Sequence, residues 1–497
     1  MTAHPSLPRL VLRADGNPRI GLGHVMRLLA LADILRDEFG CVFVIQEPDA
    51  VLLNQLQESC SEVVEMPPQP AGGEPAWLAQ HVLRPNDILV LDGYGFELSY
   101  QEAVRAHVAK LVCLDDLHAF PFAADLVLNP AGGISEADYD LRQPGARLLS
   151  GPAYAPLRAA FCSAAPASHT VASPSSVLVC LGGADPTHQT QRVAATLLTL
   201  PVVEQVQIVV GSAYTGWESL SQWAEHEAKV TLHRNLPPSQ LAELMQSCGA
   251  AVCSPSTISY EYCAAGGGLL FLLPTAANQH DLHEFLRAAG MALLYPSAAN
   301  VLTSPEVMRI AEQLRTAQKR YFDGQAPARL RQAFKALRLP DAPFRLRLVT
   351  AADSAQLLAW TNEPTVRQAS FNPQPVPAEF HERWLNARLA DPYALMLLAE
   401  EEATGAPVGL IRFSISHDEA TLSYLLDPAY RGRGWAAVLL ALGTTHLVQT
   451  FPHLRRIVGH VQLRNQASLR AFERAGYALL PVALSGEPDS VTFAWWL

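Results

Sequence analysis

His24 stands where a side chain could move a proton. Arg13-Ala14-Asp15 is followed by Ile20-Gly21-Leu22-Gly23-His24-Val25-Met26-Arg27, a glycine-rich turn that leaves an apolar run and opens a helical pattern. Glycines let backbone come close to a ligand, and a helix N-terminus favours anionic groups. A neutral imidazole in the first turn can take a proton from water, and the helix dipole favours that neutral form. The plain alternative is a tight βα turn with a capping histidine. A second strand-loop-helix signal lies near the end of the chain, where Tyr424-Leu425-Leu426-Asp427-Pro428 leads into Arg431-Gly432-Arg433-Gly434-Trp435-Ala436. Its small residues can bring backbone amides to an anion, although the segment also fits a mere basic loop.

These residues need elements to hold them. In the first third, strand candidates are Leu10–Arg13, Cys41–Gln46, Ile88–Asp92, Leu111–Leu114 and Leu126–Asn129. They lack polar alternation, as strands buried on both faces do. Leu28, Leu31, Ala32 and Leu35 recur at helical spacing, with Gly40 expected as the helix stop. After an Ala/Ser/Pro-rich break at Ala164–Ser176 the pattern restarts at Val177–Leu181, Val206–Val210, Val230–His233, Ala250–Cys253 and Leu269–Leu273. Two doubly wound α/β domains in tandem follow, with a ligand expected in the cleft at the strands' carboxyl ends. A second break at Leu337–Pro343 precedes helices near Ser354–Trp360 and Ala378–Leu389. Strands come next, near Leu395–Ala399, Val408–Ser414 and Glu419–Leu425. That order predicts an α+β domain. The expected divisions are 1–163, 164–337 and 338–497.

Hydrophobic residues make up 49% and charged residues 17% of 497, with a net charge of -11 and no long basic run. This is a globular composition, for which neither nucleic acid nor a membrane surface is an expected partner. Eight cysteines occur without a CxxC pair, mostly inside apolar runs. Buried free thiols in a reducing, cytoplasmic setting are expected, with zinc binding the weaker alternative and no metal site assigned. Neither a signal peptide nor a membrane span is expected.

A set of motifs running through both α/β domains resembles the UDP-sugar hydrolases of pseudaminic acid biosynthesis. They are Arg13-x-Asp15 with Gly21-x-Gly23-His24-x-x-Arg27; Asp92-Gly93-Tyr94; Asp115-Asp116 with Leu128-Asn129-Pro130; Gly151-x-x-Tyr154-x-Pro156-Leu157-Arg158; Gly182-Gly183-Ala184-Asp185-Pro186; Ser256-Thr257 with Glu261; and Asn278-Gln279. The resemblance implies a glycosyltransferase-B type fold and a His24-assisted attack of water at an anomeric carbon, with inversion and loss of UDP. UDP would lie mainly on the second domain. There Gly182 and Gly183 offer backbone amides, Ser256 and Thr257 offer hydroxyls to the phosphates, and Glu261 accepts from the ribose. Asn278 and Gln279 would lie near the sugar or phosphate. Arg13, Asp15, Gly23, Arg27, Asp92 and Tyr94 complete the expected substrate contacts. Plain readings stand beside these: a turn at Gly182-Gly183, a helix cap at Ser256-Thr257, a solvated Glu261, and Asp92, Tyr94, Asp115 and Asp116 as partners of helix N-termini. Pro255 stands where the family pattern expects glycine, and Gly266-Gly267-Gly268 is unusually glycine-rich.

The Arg431–Ala436 loop, with Asn465-Gln466-Ala467-Ser468 and Gly476-Tyr477 downstream, resembles the GNAT acetyltransferases. The resemblance implies acetyl-CoA as cosubstrate, held by Leu426, Arg431, Gly432, Arg433, Gly434, Trp435, Ala436, Asn465 and Ser468. Asn465 would contact the pantetheine arm. Trp360-x-Asn362 with His381-x-x-Trp384 looks like the sugar-amine branch of that superfamily. Phe472 stands at the usual tyrosine position, so the proton donor is left to Tyr477, another tyrosine or water. Glu400, Glu401, His417 and His460 are candidate bases. The combined expectation is a bifunctional enzyme acting on UDP-linked amino sugars. The alternatives are a glycosyltransferase with an accessory acetyl-CoA-binding domain, the equivalent hydrolase of another nonulosonic acid route, and a non-catalytic acetyl-CoA sensor. Oligomeric state is not readable from the sequence.

Overall fold

A computed structural model describes residues 7–16, 22–162, 172–183, 185, 187–340, 343–481, 486 and 489–497. Ile20, Gly21, Ala184 and Pro186 of the motifs, most of the 164–176 break and residues 341–342 of the second break lie outside the described residues. The chain divides into two compact units, Met1–Pro327 and Ala328–Leu497.

The first unit holds two parallel sheets. One contains β1 (Arg9–Arg13), β2 (Gly40–Gln46), β3 (Glu62–Met66), β4 (Ile88–Asp92), β5 (Lys110–Leu114), β6 (Leu126–Asn129) and β7 (Arg147–Ser150), in the order β3-β2-β1-β4-β5-β6-β7. The other contains β8 (Ser176–Cys180), β9 (Gln205–Val210), β10 (Val230–Arg234), β11 (Ala250–Cys253), β12 (Leu269–Leu272) and β13 (Leu293–Leu294), in the order β10-β9-β8-β11-β12-β13. Both are Rossmann-like, and together they have the glycosyltransferase-B-like pairing of parallel α/β sheets. Each strand order reverses once, between β1 and β4 and between β8 and β11. A doubly wound sheet opens its ligand crevice at that point, outside the strands' carboxyl ends. The central strands are buried end to end: β4 and β11 have no residue outside the core. That is why they read as unbroken apolar runs.

Four helices of this unit matter for the site and its support: α1 (Gly23–Leu35), α2 (Ala159–Cys162), α3 (Thr257–Ala265) and α4 (Val307–Tyr321). α1 stops at Leu35, and Gly40 opens β2 instead of ending the helix. The 266–268 glycines have a structural cause. Gly267 sits at φ +63, and a Cβ there would fall 1.8 Å from Oε1 of the buried Gln318 on α4. Gln318 bonds the backbone of Gly268 and Met291. No side chain fits between them.

The second unit is a mixed sheet with helices on both faces. Its strands are β14 (Phe344–Leu348), β15 (Ala394–Glu401), β16 (Pro407–Ser416), β17 (Glu419–Leu426), β18 (Arg456–Gln462), β19 (Ala478–Leu479) and β20 (Ser490–Trp496). Their order is β14-β15-β16-β17-β18-β20-β19, antiparallel except for the β17–β18 pair. α5 (Ser354–Thr361), α6 (Ala378–Leu389), α7 (Trp435–Thr450) and α8 (Gln466–Arg474) pack around it. β17 and β18 pair only from Glu419–Leu422 to Arg456–Gly459. Beyond that the two strands part, although each continues to Leu426 and Gln462. All eight cysteines are free, and burial pushes the Cys41, Cys60 and Cys180 thiols up to about 12, so these are inert core groups. Among the described residues no helix is long and apolar enough to cross a membrane, and no cluster of three metal-ligating side chains occurs.

Candidate active sites

In the first unit the crevice at the β1/β4 reversal collects His24, Arg27, Asp92, Tyr94 and Asp116. His24 lies in the first turn of α1, whose N-cap Leu22 offers no side chain to the helix amides. Its Nδ1 sits 2.6 Å from Oδ1 of Asp92, the last residue of β4. Asp92 is 0% exposed and also receives Arg27 Nη2 at 2.6 Å and Nε at 3.0 Å. Burial alone would push the Asp92 carboxyl up. Arg27 and the His24 hydrogen bond outweigh it and hold the group below its ordinary range, as a carboxylate. A carboxylate accepts only, so it fixes the proton on Nδ1 and leaves Nε2 as the basic nitrogen. Asp92, expected as a sugar contact, is therefore the group that orients His24.

Arg27 Nη1 reaches Asp116 Oδ2 at 3.2 Å. Burial dominates at Asp116 and pushes its carboxyl up despite Arg27, and its Oδ1 is buried without a hydrogen-bond partner. The Tyr94 ring stands edge-on to His24, 4.7 Å between centroids. Its hydroxyl receives Asn278 Nδ2 at 2.8 Å, which brings the second sheet's layer to the first sheet's site. Tyr260 Oη donates to Pro130 O at 2.8 Å in the same cleft. Two further expectations change character. Arg13 is 1% exposed, its guanidinium shared between Asp15 and Glu74. It thus supports Asp15, which in turn accepts from Gln46 N, and it does not face a ligand. Asp115 accepts from His118 N and the Tyr139 hydroxyl and holds the strand end.

At the β8/β11 reversal the structure gathers Gly182, Gly183, Ser254, Ser256 and Thr257. Gly182 has φ +88, and a Cβ at Gly211 would fall 2.8 Å from Gly183 Cα, so the backbones pass without room for side chains. Ser256 is the N-cap of α3 but makes no side-chain cap bond; its hydroxyl meets Ser254 Oγ at 3.0 Å. The open amides of α3 and two hydroxyls therefore face the same crevice end. Glu261 is not solvated. It is 3% exposed, and both its oxygens accept from Arg158 at 2.7 Å. Burial pushes its carboxyl up, against Arg158. Gln279 Oε1 accepts from Thr275 N at 2.7 Å and shapes its own turn.

The second unit has a cavity of about 790 Å³ where β17 and β18 part. Eight of the nine expected cofactor residues line it: Leu426, Arg431, Gly432, Gly434, Trp435, Ala436, Asn465 and Ser468. Arg433 does not; its guanidinium lies over the Tyr430 and Trp435 rings at 5.2 and 5.1 Å. Gly434 caps the 16-residue α7 in the left-handed region, φ +80, without a side-chain cap bond. Gly432 has φ +78. The loop so formed turns uncapped amides and the positive end of α7 into the cavity, a fit for a diphosphate.

Residues 344–478 match the family profile of the Acetyltransferase (GNAT) domain. The C-terminal unit carries a GNAT acetyltransferase domain. Among solved structures, spermidine N-acetyltransferase from Vibrio cholerae, in complex with CoA and spermine, is 18% identical over 31% of this chain and 95% of its own, TM-score 0.29. A domain from Methanocaldococcus jannaschii is 18% identical over 32% and 100%, TM-score 0.28. An uncharacterized protein of Methanocaldococcus jannaschii is 19% identical over 94% of this chain and 96% of its own length. The UDP-2,4-diacetamido-2,4,6-trideoxy-beta-L-altropyranose hydrolase of Campylobacter jejuni is 22% identical over 51% of this chain and 87% of its own.

Within the acetyltransferase domain, Asn465 Oδ1 accepts from Ser468 N and caps α8. Phe472 is a core residue, stacked on Phe493 and filling the space a Cβ at Gly459 would need. Tyr477 is 1% exposed with its hydroxyl against Thr444, so it is no proton donor for the cavity. Among the described residues the tyrosine that lines the cavity is Tyr424, its hydroxyl 3.1 Å from Ser468 Oγ and its pKa pushed up by burial. Tyr424 opens the 424–428 run that leads into the loop, but the run gives it no role; its place on the parting strand does. Of the candidate bases, His460 alone lines the cavity; burial lowers its pKa, and Nδ1 is 3.0 Å from Thr492 Oγ1. Glu400 is tied to Arg347 and Arg345, Glu401 accepts from Thr404, and His417 sits in the β16–β17 turn.

Proposed function

We propose that the chain is a bifunctional cytoplasmic enzyme of nucleotide-sugar metabolism, with functional divisions at 1–163, 164–337 and 338–497. The C-terminal division N-acetylates the amine of a UDP-linked 4-amino sugar. The first two divisions hydrolyse the resulting UDP-2,4-diacetamido sugar to free sugar and UDP, with inversion, on a route to pseudaminic acid. The observation that carries the hydrolase reading is the His24–Asp92 pair at the strand-order reversal. Similarity to the Campylobacter jejuni hydrolase supports the substrate class.

In the hydrolytic step His24 Nε2 removes a proton from water. The water oxygen bonds to the anomeric carbon from the face opposite UDP. The carbon–oxygen bond to the diphosphate breaks, and UDP leaves with the electron pair. Asp92 stabilises the imidazolium that forms, and Arg27 keeps Asp92 ionised. Gly182, Gly183, Ser256 and Thr257 hold the diphosphate, where fixed donors cost no reorganisation. Tyr94 and Asn278 contact the sugar from opposite sides of the cleft.

In the acetyltransferase domain, the Arg431–Ala436 loop and the start of α7 hold the coenzyme A diphosphate. When bound, acetyl-CoA supplies the thioester carbonyl. His460 accepts the proton that the incoming amine loses as its nitrogen bonds to the acetyl carbon, and Tyr424 Oη gives a proton to the thiolate released when the carbon–sulfur bond breaks. Positioning supplies much of such a direct transfer, so a short list of titrating groups suffices.

His24→Ala tests the first reading. UDP release should fall on the order of 10²–10⁴-fold while acetylation continues. UDP release at the wild-type rate would end the base assignment. Transfer of the sugar to an added acceptor in preference to water would instead make the first unit a glycosyltransferase.

A further inference from the structure

The acetyltransferase cavity is lined by five arginines, Arg367, Arg412, Arg431, Arg470 and Arg474, and by no aspartate or glutamate. The contacts of four of them separate them; the fifth, Arg470, is an exposed residue of α8. Arg431 bonds Glu363 and lies in the loop that receives the coenzyme A diphosphate, and Arg474, at the end of α8, borders that loop at Gly434. Arg367 gives its donors to the carbonyls of Thr361, Asn372 and Gln374 and to Ser370 Oγ, and so shapes the loop after α5.

Arg412 is different. It projects from β16 on the face that carries α5 and α6, exposed to the cavity. Nε donates to Ser423 Oγ at 2.5 Å, and the guanidinium lies 5.0 Å from the Trp384 ring centroid. Among the described residues its Nη groups have no acceptor and no carboxylate partner. The charged groups that act on it most, Arg388 and Arg367, are like-charged. A planar fork with both outer nitrogens open, backed by an aromatic face, is built for a phosphate. A second observation points to a ligand at the same place. His381 is 3% exposed and lines the cavity, and its Nε2 is buried with no hydrogen-bond partner. Native structures rarely leave such an atom orphaned.

We propose that Arg412, seated on Trp384, binds a phosphate of the acceptor molecule, with His381 Nε2 completing that subsite. The acetyltransferase site thereby selects phosphate-linked amines. A polycationic amine would meet five arginines and no carboxylate. The inference rests on the acetyl-transfer reading above and adds the residues that choose the acceptor.

The test uses the full chain and follows CoA thiol release with three acceptors of one 4-amino-4,6-dideoxy sugar: UDP-linked, 1-phosphate and methyl glycoside. The charged acceptors should exceed the glycoside in kcat/KM by at least about tenfold, the lower end of what one charge-assisted contact supplies. Arg412→Gln should raise KM for the UDP-linked acceptor about tenfold to a hundredfold. KM for acetyl-CoA should stay put, and Arg412→Lys should recover part of the loss. A glycoside as good as the phosphates, or a shift confined to acetyl-CoA KM, overturns the proposal and leaves the acetyl-transfer reading standing. If none of the three sugars is acetylated, that reading fails, and UDP titration by calorimetry decides the subsite by itself. Two UDP sites in the wild type and one in Arg412→Gln uphold it; equal counts and affinities overturn it.

Discussion

Replacing Asp92 by asparagine should disable hydrolysis while leaving the shape of the site almost intact. The carboxylate is wholly buried and accepts three short bonds, one from His24 and two from Arg27. Asparagine keeps one acceptor oxygen. If that oxygen takes the Oδ2 place, it keeps Arg27 Nε, but the NH2 then donates to His24 Nδ1 and crowds Arg27 Nη2, and the imidazole proton moves to Nε2, so the basic nitrogen is lost. If the oxygen takes the Oδ1 place, it keeps His24 Nδ1–H and Arg27 Nη2, and the NH2 meets Arg27 Nε, donor against donor. Either way the negative charge that stabilises the imidazolium is gone. In a Ser-His-Asp triad the same substitution lowers kcat about 10⁴-fold. Here the water nucleophile and the diphosphate donors remain, so a loss on the order of 10²–10⁴ is expected. Breaking a buried ion pair from one side costs about 3–5 kcal/mol, and Arg27 keeps Asp116 at 3.2 Å, so the stability loss should sit near about 3. UDP release from the UDP-2,4-diacetamido sugar measures the first effect, and urea denaturation of the same variant the second. A variant within tenfold of wild-type kcat would refute the dyad.

Other consequences follow from neighbouring contacts. Arg158→Ala leaves Glu261 buried without its cation and should cost about 3 kcal/mol in denaturant titration. That is the low end, because a carboxyl already pushed up by burial can protonate; adding Glu261→Gln should recover part of it. Gly434→Val puts a β-branched residue at φ +80 beside Arg474, and should raise acetyl-CoA KM about tenfold and cost about 1–2 kcal/mol, read from initial rates and thermal melts. Asp353 is held down to about 2, chiefly by its hydrogen bonds from Arg347. Its folded value is below the ordinary carboxylate range, so its stabilisation is present above about pH 4 and lost as pH falls toward 2. Asp353→Asn should flatten that part of the stability profile.

The central strands were legible because burial on both faces leaves an unbroken apolar run. β3 and β7 were not: each is an edge strand with exposed charged residues, Glu62 and Glu65 or Arg147, so its composition is that of a loop. The Gly182-Gly183 turn marked the second crevice, since the close approach of Gly211 to Gly183 excludes side chains there whatever the ligand. Partnerships were hidden. His24 and Asp92 lie 68 residues apart and meet only because β1 and β4 are neighbours. Arg158 and Glu261 are joined across 103 residues, so a carboxylate that looked solvated is buried. Arg412 carries no motif, and Tyr424 was legible only as the start of the 424–428 run, without a role. Their access to the cavity comes from the parting of β17 from β18 and from the alternation along β16, neither of which residue types announce.

The most direct test of the two-site account is UDP release by the wild-type chain from UDP-4-amino-4,6-dideoxy-N-acetyl-β-L-altrosamine, with and without acetyl-CoA. The account predicts release that depends on acetyl-CoA, with the free diacetamido sugar as product. Equal release without acetyl-CoA, or none under either condition, would contradict it.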